Sequence, residues 1–192
     1  MINVTDLLRK IRIKLCGGAT GIGNLDLLKK RGLKVGKNFQ ALDECVIDSS
    51  HCWLISIGDN VTFAPGVHVI AHDASTKHHL GYTKIGLVSI GNNAFIGEGS
   101  IILPNVKIGN NVVVGSGSVV ANDIPDNCVA AGNPAKVIST IDEYLRKHKE
   151  NMKTRPLFDE SWALHRNISE NMKKIMIEKL KDGIGYIVGY KE

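Results

Sequence analysis

Five of the seven histidines of this 192-residue chain lie between residues 51 and 79. A neutral imidazole accepts a proton near pH 7, and it is also a common metal ligand. The histidines fall in and beside a polar segment that breaks the pattern of the flanking sequence, and such segments on a regular scaffold often carry function. We therefore expect the functional site at this segment, although His68 is expected on the surface of the scaffold; the five histidines are His51, His68, His72, His78 and His79.

The sequence on both sides of this segment repeats every six residues. Glycine follows many of the repeated aliphatic positions, and Asn or Asp cluster at the intervening turns. The period matches neither the 3.6 residues of a helix nor the two-residue alternation of an ordinary strand. The repeated positions, which we expect to be buried, are Val35, Ala41, Ile47, Ile57, Phe63, Val69, Ile90, Ile96, Ile102, Ile108, Val114 and Val120.

This repeat predicts a solenoid whose rungs turn a corner every six residues. The aliphatic side chains point into a central column, while Gly and Asn relieve backbone strain at the corners. One rung cannot bury its own apolar face, so stability requires the stack. We expect the solenoid to span residues 33–139, with a loop insertion at residues 73–89.

The segments that flank the repeat have helical patterns. Apolar residues between positions 4 and 15 form one stripe and the basic residues lie elsewhere, so residues 1–32 are predicted to be an amphipathic basic helix and a connector. Packing on the end of the solenoid is the favoured interpretation, and weak peripheral membrane association is the alternative. Residues 140–192 are predicted to be a helical extension, with a capping box at Thr140 and Glu143 and a second helix near residues 169–181.

Composition and charge exclude several classes of protein. With 43% hydrophobic and 22% charged residues, the chain is globular. No apolar run approaches 18 residues and no signal peptide is evident, so we expect a cytoplasmic protein whose four cysteines are reduced. The net charge of +5 comes mainly from residues 1–40, and the basic residues are not interleaved with aromatic ones, so no nucleic-acid partner is expected.

Two long stretches carry a family resemblance, ISIGDNVTFAPGVHVIAHDAS and VSIGNNAFIGEGSIILPNVKIGNNVVVGSGSVVANDIPDNCVAAGNPAKVI. They resemble the hexapeptide-repeat acyltransferases, above all the galactoside and maltose O-acetyltransferases and the related capsule or lipopolysaccharide O-acetyltransferases. The resemblance implies an all-β, left-handed parallel β-helix and a homotrimer with active sites between neighbouring chains. It implies acetyl-CoA as the acyl donor, no metal, and a sugar hydroxyl of a capsule or surface polysaccharide as the acceptor.

The resemblance also assigns roles to single residues. His72 stands where the family has its catalytic histidine, which acts as a general base while the acceptor hydroxyl attacks the thioester directly. A carboxylate is expected to orient the imidazole, and we take Asp73 as catalytic with Asp48 as the other candidate. The residues expected to contact the acceptor are His51, His78, His79 and Tyr82.

The donor site follows from the same resemblance. In the family, coenzyme A lies along the solenoid, where small residues permit a close approach to the backbone. The backbone N–H near Gly97 or Glu98 is the expected oxyanion donor, and Lys136 is the expected contact for the phosphates. Glu98 departs from the Ser of the galactoside branch, and Phe95 replaces a Trp. The predicted cofactor-binding residues are Phe95, Gly97, Glu98, Gly115, Ser116, Gly117 and Lys136.

Three alternatives remain open at this point. An N-acyltransferase acting on an amino sugar would use the same histidine base. A zinc hydratase of the γ-carbonic-anhydrase type uses the same solenoid with three histidine ligands, but it needs an H-x4-H spacing, and no two histidines of this chain are five residues apart. A non-catalytic trimeric scaffold would have no affinity for coenzyme A.

Overall fold

A computed structural model of the chain describes residue 22 and residues 24–189. The chain divides into two units, one that extends to Ile141 and one that begins at Asp142. The helix predicted over residues 4–15 lies outside the described residues. Within the described part of the chain, every helix is too short or too polar to cross a lipid bilayer.

Helix α1 (Leu25–Lys30) precedes the first rung of the repeat. Asn24 caps it, since the Asn24 side chain accepts a hydrogen bond from the Leu27 N–H at 2.9 Å. Leu25 and Leu28 are buried against the core. From the sequence this segment is expected to be a connector, because six residues are too few to display a helical period.

The first unit is a parallel β-helix with three faces, and each rung contributes a short strand to each face. The first face contains β1 (Lys34–Val35), β4 (Ile55–Ile57), β9 (Val88–Ile90) and β12 (Val106–Ile108). The second face contains β2 (Gln40–Ala41), β5 (Thr62–Phe63), β10 (Phe95–Ile96), β13 (Val113–Val114), β15 (Cys128–Gly132) and the antiparallel β16 (Ala135–Thr140). The third face contains β3 (Val46–Ile47), β6 (His68–Val69), β11 (Ile101–Ile102) and β14 (Val119–Val120).

The repeated aliphatic residues form the core of this unit, as the sequence predicts. Eleven of the twelve are buried, and Val35 is partly buried against the others. Each six-residue repeat has a second inward position, which holds a small or β-branched side chain. Two of these are the buried serines Ser100 and Ser118, whose hydroxyls both donate to the Gly115 carbonyl. Each buried Ile or Val contributes roughly 1.5–3 kcal/mol. The predicted fold class is confirmed.

Asparagines build the corner between the first and second faces. Each one has a backbone φ of 54–58°, a conformation that Asn tolerates better than most residues. Their side chains form a ladder in which each amide N–H donates to the amide oxygen of the next rung at 2.9–3.0 Å. This ladder gives the corner a structural role. Its members are Asn38, Asn60, Asn93, Asn111 and Asn127.

Glycines at the same corner are required by the close stacking of the rungs. A Cβ atom on Gly91 would lie 2.6 Å from the Gly109 carbonyl oxygen, well inside van der Waals contact. We therefore expect Gly91→Ala to lower the free energy of unfolding by roughly 1–3 kcal/mol, measured by urea denaturation. Gly189→Ala is the control, because a Cβ there meets no described atom within 4 Å. An unchanged urea midpoint for Gly91→Ala would contradict this explanation of the repeat.

The inserted loop leaves the β-helix between its third and first faces. At its base, β7 (His72–Asp73) pairs in antiparallel fashion with β8 (Lys84–Ile85). The Gly86 N–H donates to the Ala71 carbonyl at 3.0 Å, so the loop closes where it began. Between the strands lie a 3₁₀ turn (Ala74–Thr76) and helix α2 (Lys77–Leu80). His72 is therefore the residue at which the loop departs.

The second unit contains the two helices predicted for the C-terminal extension and a small sheet. Helix α3 (Ile141–Met152) follows the predicted capping box, and helix α4 (Glu170–Lys179) begins after Ser169, whose hydroxyl accepts from the Met172 N–H at 3.2 Å. Strands β17 (Leu157–Phe158) and β18 (Tyr186–Ile187) pair in parallel, and 3₁₀ turns occupy Glu160–Trp162 and Leu164–Arg166.

Candidate active site

His72 lies at the corner between the third and first faces of the β-helix. It follows β6 closely and begins the hairpin that closes the inserted loop, where it pairs with Ile85. The antiparallel pairing holds the backbone, while 36% of the imidazole remains exposed. The ring is thus both firmly placed and accessible.

Asp48 orients this imidazole from the rung beneath. It follows β3, and only 2% of its side chain is exposed. Its Oδ2 atom lies 2.5 Å from His72 Nδ1 and accepts a hydrogen bond from the Ala71 N–H at 3.0 Å. Its Oδ1 atom accepts from the N–H groups of Ser50 and His51 at 2.9 and 3.2 Å. Both carboxylate oxygens are therefore satisfied by protein groups.

These hydrogen bonds determine which nitrogen of His72 is free. Burial is the largest single influence on Asp48 and raises its pKa, but hydrogen bonds from His72, Ala71 and Ser50 together hold the pKa below its ordinary value. An ionised carboxylate is only an acceptor, so Nδ1 of His72 carries the proton. The Nε2 atom then holds the lone pair and is available as a base.

Asp73 does not orient His72, which corrects our choice of it as the catalytic carboxylate. Its Oδ2 atom lies 2.6 Å from Lys84 Nζ, and its Oδ1 atom accepts from the Ser75 N–H at 2.8 Å. The hydrogen bonds from Lys84 and Ser75 lower the pKa of Asp73 to about 2. Successive side chains of a strand point to opposite sides, so adjacent residues of β7 face different surroundings. Asp73 secures the loop, and Asp48 is the partner of His72.

His51 lies beside the His72–Asp48 pair. It precedes a 3₁₀ turn (Cys52–Leu54), and its ring centroid is 5.1 Å from that of His72. Its Nδ1 atom is buried and has no hydrogen-bond partner among the described residues. His51, which was expected to contact the acceptor, therefore lies next to the proposed base.

Asp48, His51 and His72 also have the residue types of a metal site. One ligand atom from each lies within 4.8 Å of the others, the only such group of three found in the described ranges. A tetrahedral zinc ion needs ligand atoms about 3.3 Å apart. Since the Asp48 oxygens already accept four protein contacts, the arrangement fits a hydrogen-bonded Asp–His pair better than a set of metal ligands.

The other predicted acceptor contacts lie farther along the inserted loop. His78 and His79 are exposed on α2, with ring centroids 5.2 Å apart in an edge-to-face arrangement. Tyr82 is exposed, and its carbonyl accepts a hydrogen bond from the Thr76 hydroxyl at 2.7 Å. The structure therefore places these residues on the loop that begins at His72 and not in the cluster of Asp48, His51 and His72.

Five of the seven predicted cofactor-binding residues lie at the remaining corner, between the second and third faces, which we call the donor corner. Gly97 and Glu98 precede β11, and Gly115, Ser116 and Gly117 occupy the equivalent places one rung further on. The Gly117 N–H donates to the Glu98 carbonyl at 2.7 Å, which links the two rungs. Because the strands of the third face run between this corner and His72, one chain does not bring the base and the donor corner together.

The oxyanion donor was expected to be the backbone N–H near Gly97 or Glu98. The structure corrects the first of these candidates, because the Gly97 N–H is not free. It already donates to the Val114 carbonyl at 2.8 Å, as part of the ladder between rungs. A Cβ on Gly97 would lie 2.5 Å from the Ser116 nitrogen, so rung stacking explains the glycine without any ligand. Glu98 remains the candidate. Phe95 on the second face and Lys136 on β16 are both exposed.

Trp53 is a residue of this region that the sequence pattern does not single out. The residue is 53% exposed, and its ring centroid lies 5.4 Å from that of His51. The available signal was a tryptophan two residues before the repeat ISIG in a chain with few aromatic residues. An outward position for Trp53 cannot be read from the repeat, because the 3₁₀ turn that carries it departs from the six-residue phase.

Comparison with known proteins identifies relatives over the β-helix. A family model described as bacterial transferase hexapeptide (six repeats) matches residues 88–122. Protein CapG of Staphylococcus aureus is 46% identical over 132 residues, which are 66% of this chain and 76% of CapG. Galactoside O-acetyltransferase of Escherichia coli is 39% identical over 115 residues, which are 58% of this chain and 55% of that enzyme.

A solved structure of a galactoside acetyltransferase in complex with coenzyme A is also similar to this chain. The two share 37% sequence identity and superimpose with a TM-score of 0.52, over 58% of this chain and 56% of the other. The chain thus spans little more than half the length of the galactoside enzymes that it matches, and about three quarters of CapG.

Proposed function

The chain belongs to the bacterial hexapeptide-repeat transferases, and from that premise we propose that it is an acetyl-CoA-dependent O-acetyltransferase acting on a sugar hydroxyl. The observation that carries the proposal is the exposed His72 imidazole, whose Nδ1 atom is held by the buried Asp48 carboxylate. The coenzyme A complex of a galactoside acetyltransferase supports the donor, and the name of the Escherichia coli relative supports a sugar acceptor.

The proposed mechanism is direct transfer with His72 as general base. A sugar hydroxyl attacks a thioester poorly because its pKa is far above 7. His72 Nε2 takes the hydroxyl proton as the oxygen bonds to the acetyl carbonyl carbon, and Asp48 stabilises the resulting imidazolium. The tetrahedral intermediate then expels the thiolate of coenzyme A, which receives the proton from His72. The Glu98 N–H is the proposed oxyanion donor.

We propose that the site is completed between copies of the chain in a homotrimer. The base and the donor corner lie at opposite ends of the third-face strands, so a donor corner from a neighbouring copy would supply what His72 lacks. The inserted loop also exposes large apolar side chains that a partner would cover, namely Leu80, Ile85 and Leu87. Phe95, Gly115, Ser116, Gly117 and Lys136 are the proposed contacts for coenzyme A on that neighbour.

A cytoplasmic location and an acceptor from capsule or surface polysaccharide belong to the same proposal. The acyl donor is an intracellular metabolite, and Cys45, Cys52 and Cys128 are free thiols. Weak peripheral membrane contact would involve the basic helix predicted over residues 4–15, which precedes the described residues.

Two measurements test this function. Isothermal titration calorimetry should detect binding of coenzyme A, and the release of free thiol from acetyl-CoA should depend on an added sugar. Neutral methyl pyranosides and amino sugars make up the acceptor panel. Acetyl transfer only to the amino group of the amino sugars would favour the N-acyltransferase alternative. Absence of coenzyme A binding would favour the alternative of a non-catalytic trimeric scaffold.

Removal of metal is expected to leave the activity unchanged. The reason is that Asp48 already binds His72 and three backbone N–H groups, and the proposed chemistry uses only a proton acceptor. Dialysis against EDTA, followed by zinc analysis and the thiol-release assay, measures this. Activity that disappears with the metal and returns with stoichiometric zinc would contradict it and favour the hydratase alternative.

A further inference from the structure

A row of three aromatic rings runs from Trp53 through His51 to His72. The ring centroids of Trp53 and His51 are 5.4 Å apart, and those of His51 and His72 are 5.1 Å apart. The planes are tilted by 48° and 41°, so the rings are not stacked face to face. A tryptophan that is 53% exposed as a residue therefore lies one ring away from the proposed base.

The fold places the Trp53 ring outward and holds its backbone. On either side of it, Cys52 and Ile55 are buried in the core, so the turn that joins them presents residue 53 to the surface. Trp53 also packs over Gly32, where an added Cβ would lie 2.9 Å from Trp53 Cβ. Burial of a large apolar side chain is favourable, so an exposed tryptophan costs stability. Exposed aromatic side chains of this kind are common on ligand-binding surfaces.

The two carboxylates beside His72 are already engaged with protein partners. Asp48 is held by His72 and backbone N–H groups, and Asp73 pairs with Lys84 at 2.6 Å. The groups that remain available to a ligand are the face of the Trp53 indole and an imidazole nitrogen from each of His51 and His72. Because Nδ1 of His51 is buried, Nε2 is the nitrogen that this ring can offer. Such a surface suits a neutral ring with one apolar face and hydroxyl groups at its edge.

We infer that Trp53 and His51 form the acceptor subsite, which binds the pyranose ring of a neutral sugar and directs one of its hydroxyl groups to His72. This inference rests on the proposed function and deepens it. The axial hydrogens of the sugar lie on the indole face, and His51 hydrogen-bonds a hydroxyl at the ring edge. Trp53 thereby becomes a specificity-determining residue, which selects pyranosides over acyclic or strongly charged acceptors.

Fluorescence offers a direct test, because the chain has only two tryptophans. Trp162, in the second unit, packs against Phe158 with ring centroids 5.1 Å apart, and Trp162→Phe leaves Trp53 as the sole indole. The probes are neutral methyl pyranosides, beginning with methyl galactopyranoside, with glycerol as the acyclic control. We expect at least one pyranoside to change the Trp53 emission in a saturable way and glycerol to leave it unchanged.

Kinetics supply the second test. Trp53→Ala should raise the KM for the acceptor at least tenfold and leave the KM for acetyl-CoA within twofold, and Trp53→Phe should lie between Trp53→Ala and the wild type. Light scattering and circular dichroism verify that each variant keeps its oligomeric state and fold.

Several outcomes would overturn the inference. These are an unchanged acceptor KM in Trp53→Ala, emission that does not respond to any pyranoside, or dissociation of the oligomer by Trp53→Ala, which would make Trp53 a subunit contact. A different result would contradict the proposed function itself: wild-type protein that does not bind coenzyme A in the absence of sugar.

Discussion

Replacement of His72 by alanine is expected to lower kcat for acetyl transfer at least a hundredfold. General-base catalysis by a placed imidazole contributes about 10²–10⁴-fold, and this variant removes the group that would accept the hydroxyl proton. The KM for acetyl-CoA should change little, since His72 is not among the proposed contacts for coenzyme A. Steady-state kinetics in both substrates measure the two effects separately.

His68 provides the matched control for this experiment. It is an exposed histidine on β6, the strand that leads to the inserted loop. His68→Ala removes the same type of side chain four residues earlier in the chain and outside the Asp48–His72 pair, so it should retain near-normal turnover and an unchanged melting temperature. Near-normal turnover in His72→Ala would exclude His72 from the mechanism.

The two candidate carboxylates can be separated with one pair of variants. Asp48→Asn should lower kcat by roughly 10²–10⁴-fold, because a neutral amide no longer selects the tautomer of His72 or stabilises its protonated form. Asp73→Asn should change kcat less than threefold, since Asp73 pairs with Lys84 on the loop and does not contact His72. Equal losses in both variants would contradict the assignment of Asp48 as the orienting group.

Asp48 should also make folding stability depend on pH in the acidic range. Its pKa is lower in the folded protein than the value of about 3.9 expected in the unfolded chain. The unfolded state therefore binds the proton more readily, so the contribution of Asp48 to stability is present above about pH 5 and is lost as the pH falls through the folded pKa. In Asp48→Asn, urea denaturation between about pH 3 and 6 should show a smaller loss of stability on acidification.

The asparagine variant should also be less stable than the wild type at neutral pH. The amide has one acceptor oxygen where the carboxylate has two, and its NH₂ group would face backbone donors such as the Ala71 N–H. A buried group left without its hydrogen bond costs about 1–3 kcal/mol. Wild-type stability at pH 7 together with an unchanged acid profile would show that the Asp48 hydrogen bonds contribute nothing to folding.

Much of the fold could be predicted from the sequence because the repeat itself encodes burial. A side chain at every sixth position must enter the column, and the buried set from Ala41 to Val120 follows that rule. Helix α1 and the pair β17–β18 could not be predicted in this way, since elements of two to six residues are too short to show a period of their own.

The candidate site was predictable only in part, for a different reason. The histidine cluster and the break in the repeat pointed to the inserted loop, and the resemblance singled out His72. Hydrogen bonding at the donor corner could not be foreseen: whether the N–H of Gly97 is free depends on the rung stacked against it, which contains Val114. Trp53 likewise becomes notable only when its exposure and the neighbouring His51 ring are seen.

The sequence by itself determined the β-helix and the position of the inserted loop. A strict six-residue period shows which side chains face inward, and the loop begins where that period is interrupted. What only the tertiary structure decided is the partner of the base. Asp73 is next to His72 in the chain, yet Asp48, 24 residues away, holds the imidazole. Stacking brings residues from successive rungs into contact, while strand alternation turns adjacent residues apart. Proximity in a solenoid therefore follows the rung register and not the distance along the chain.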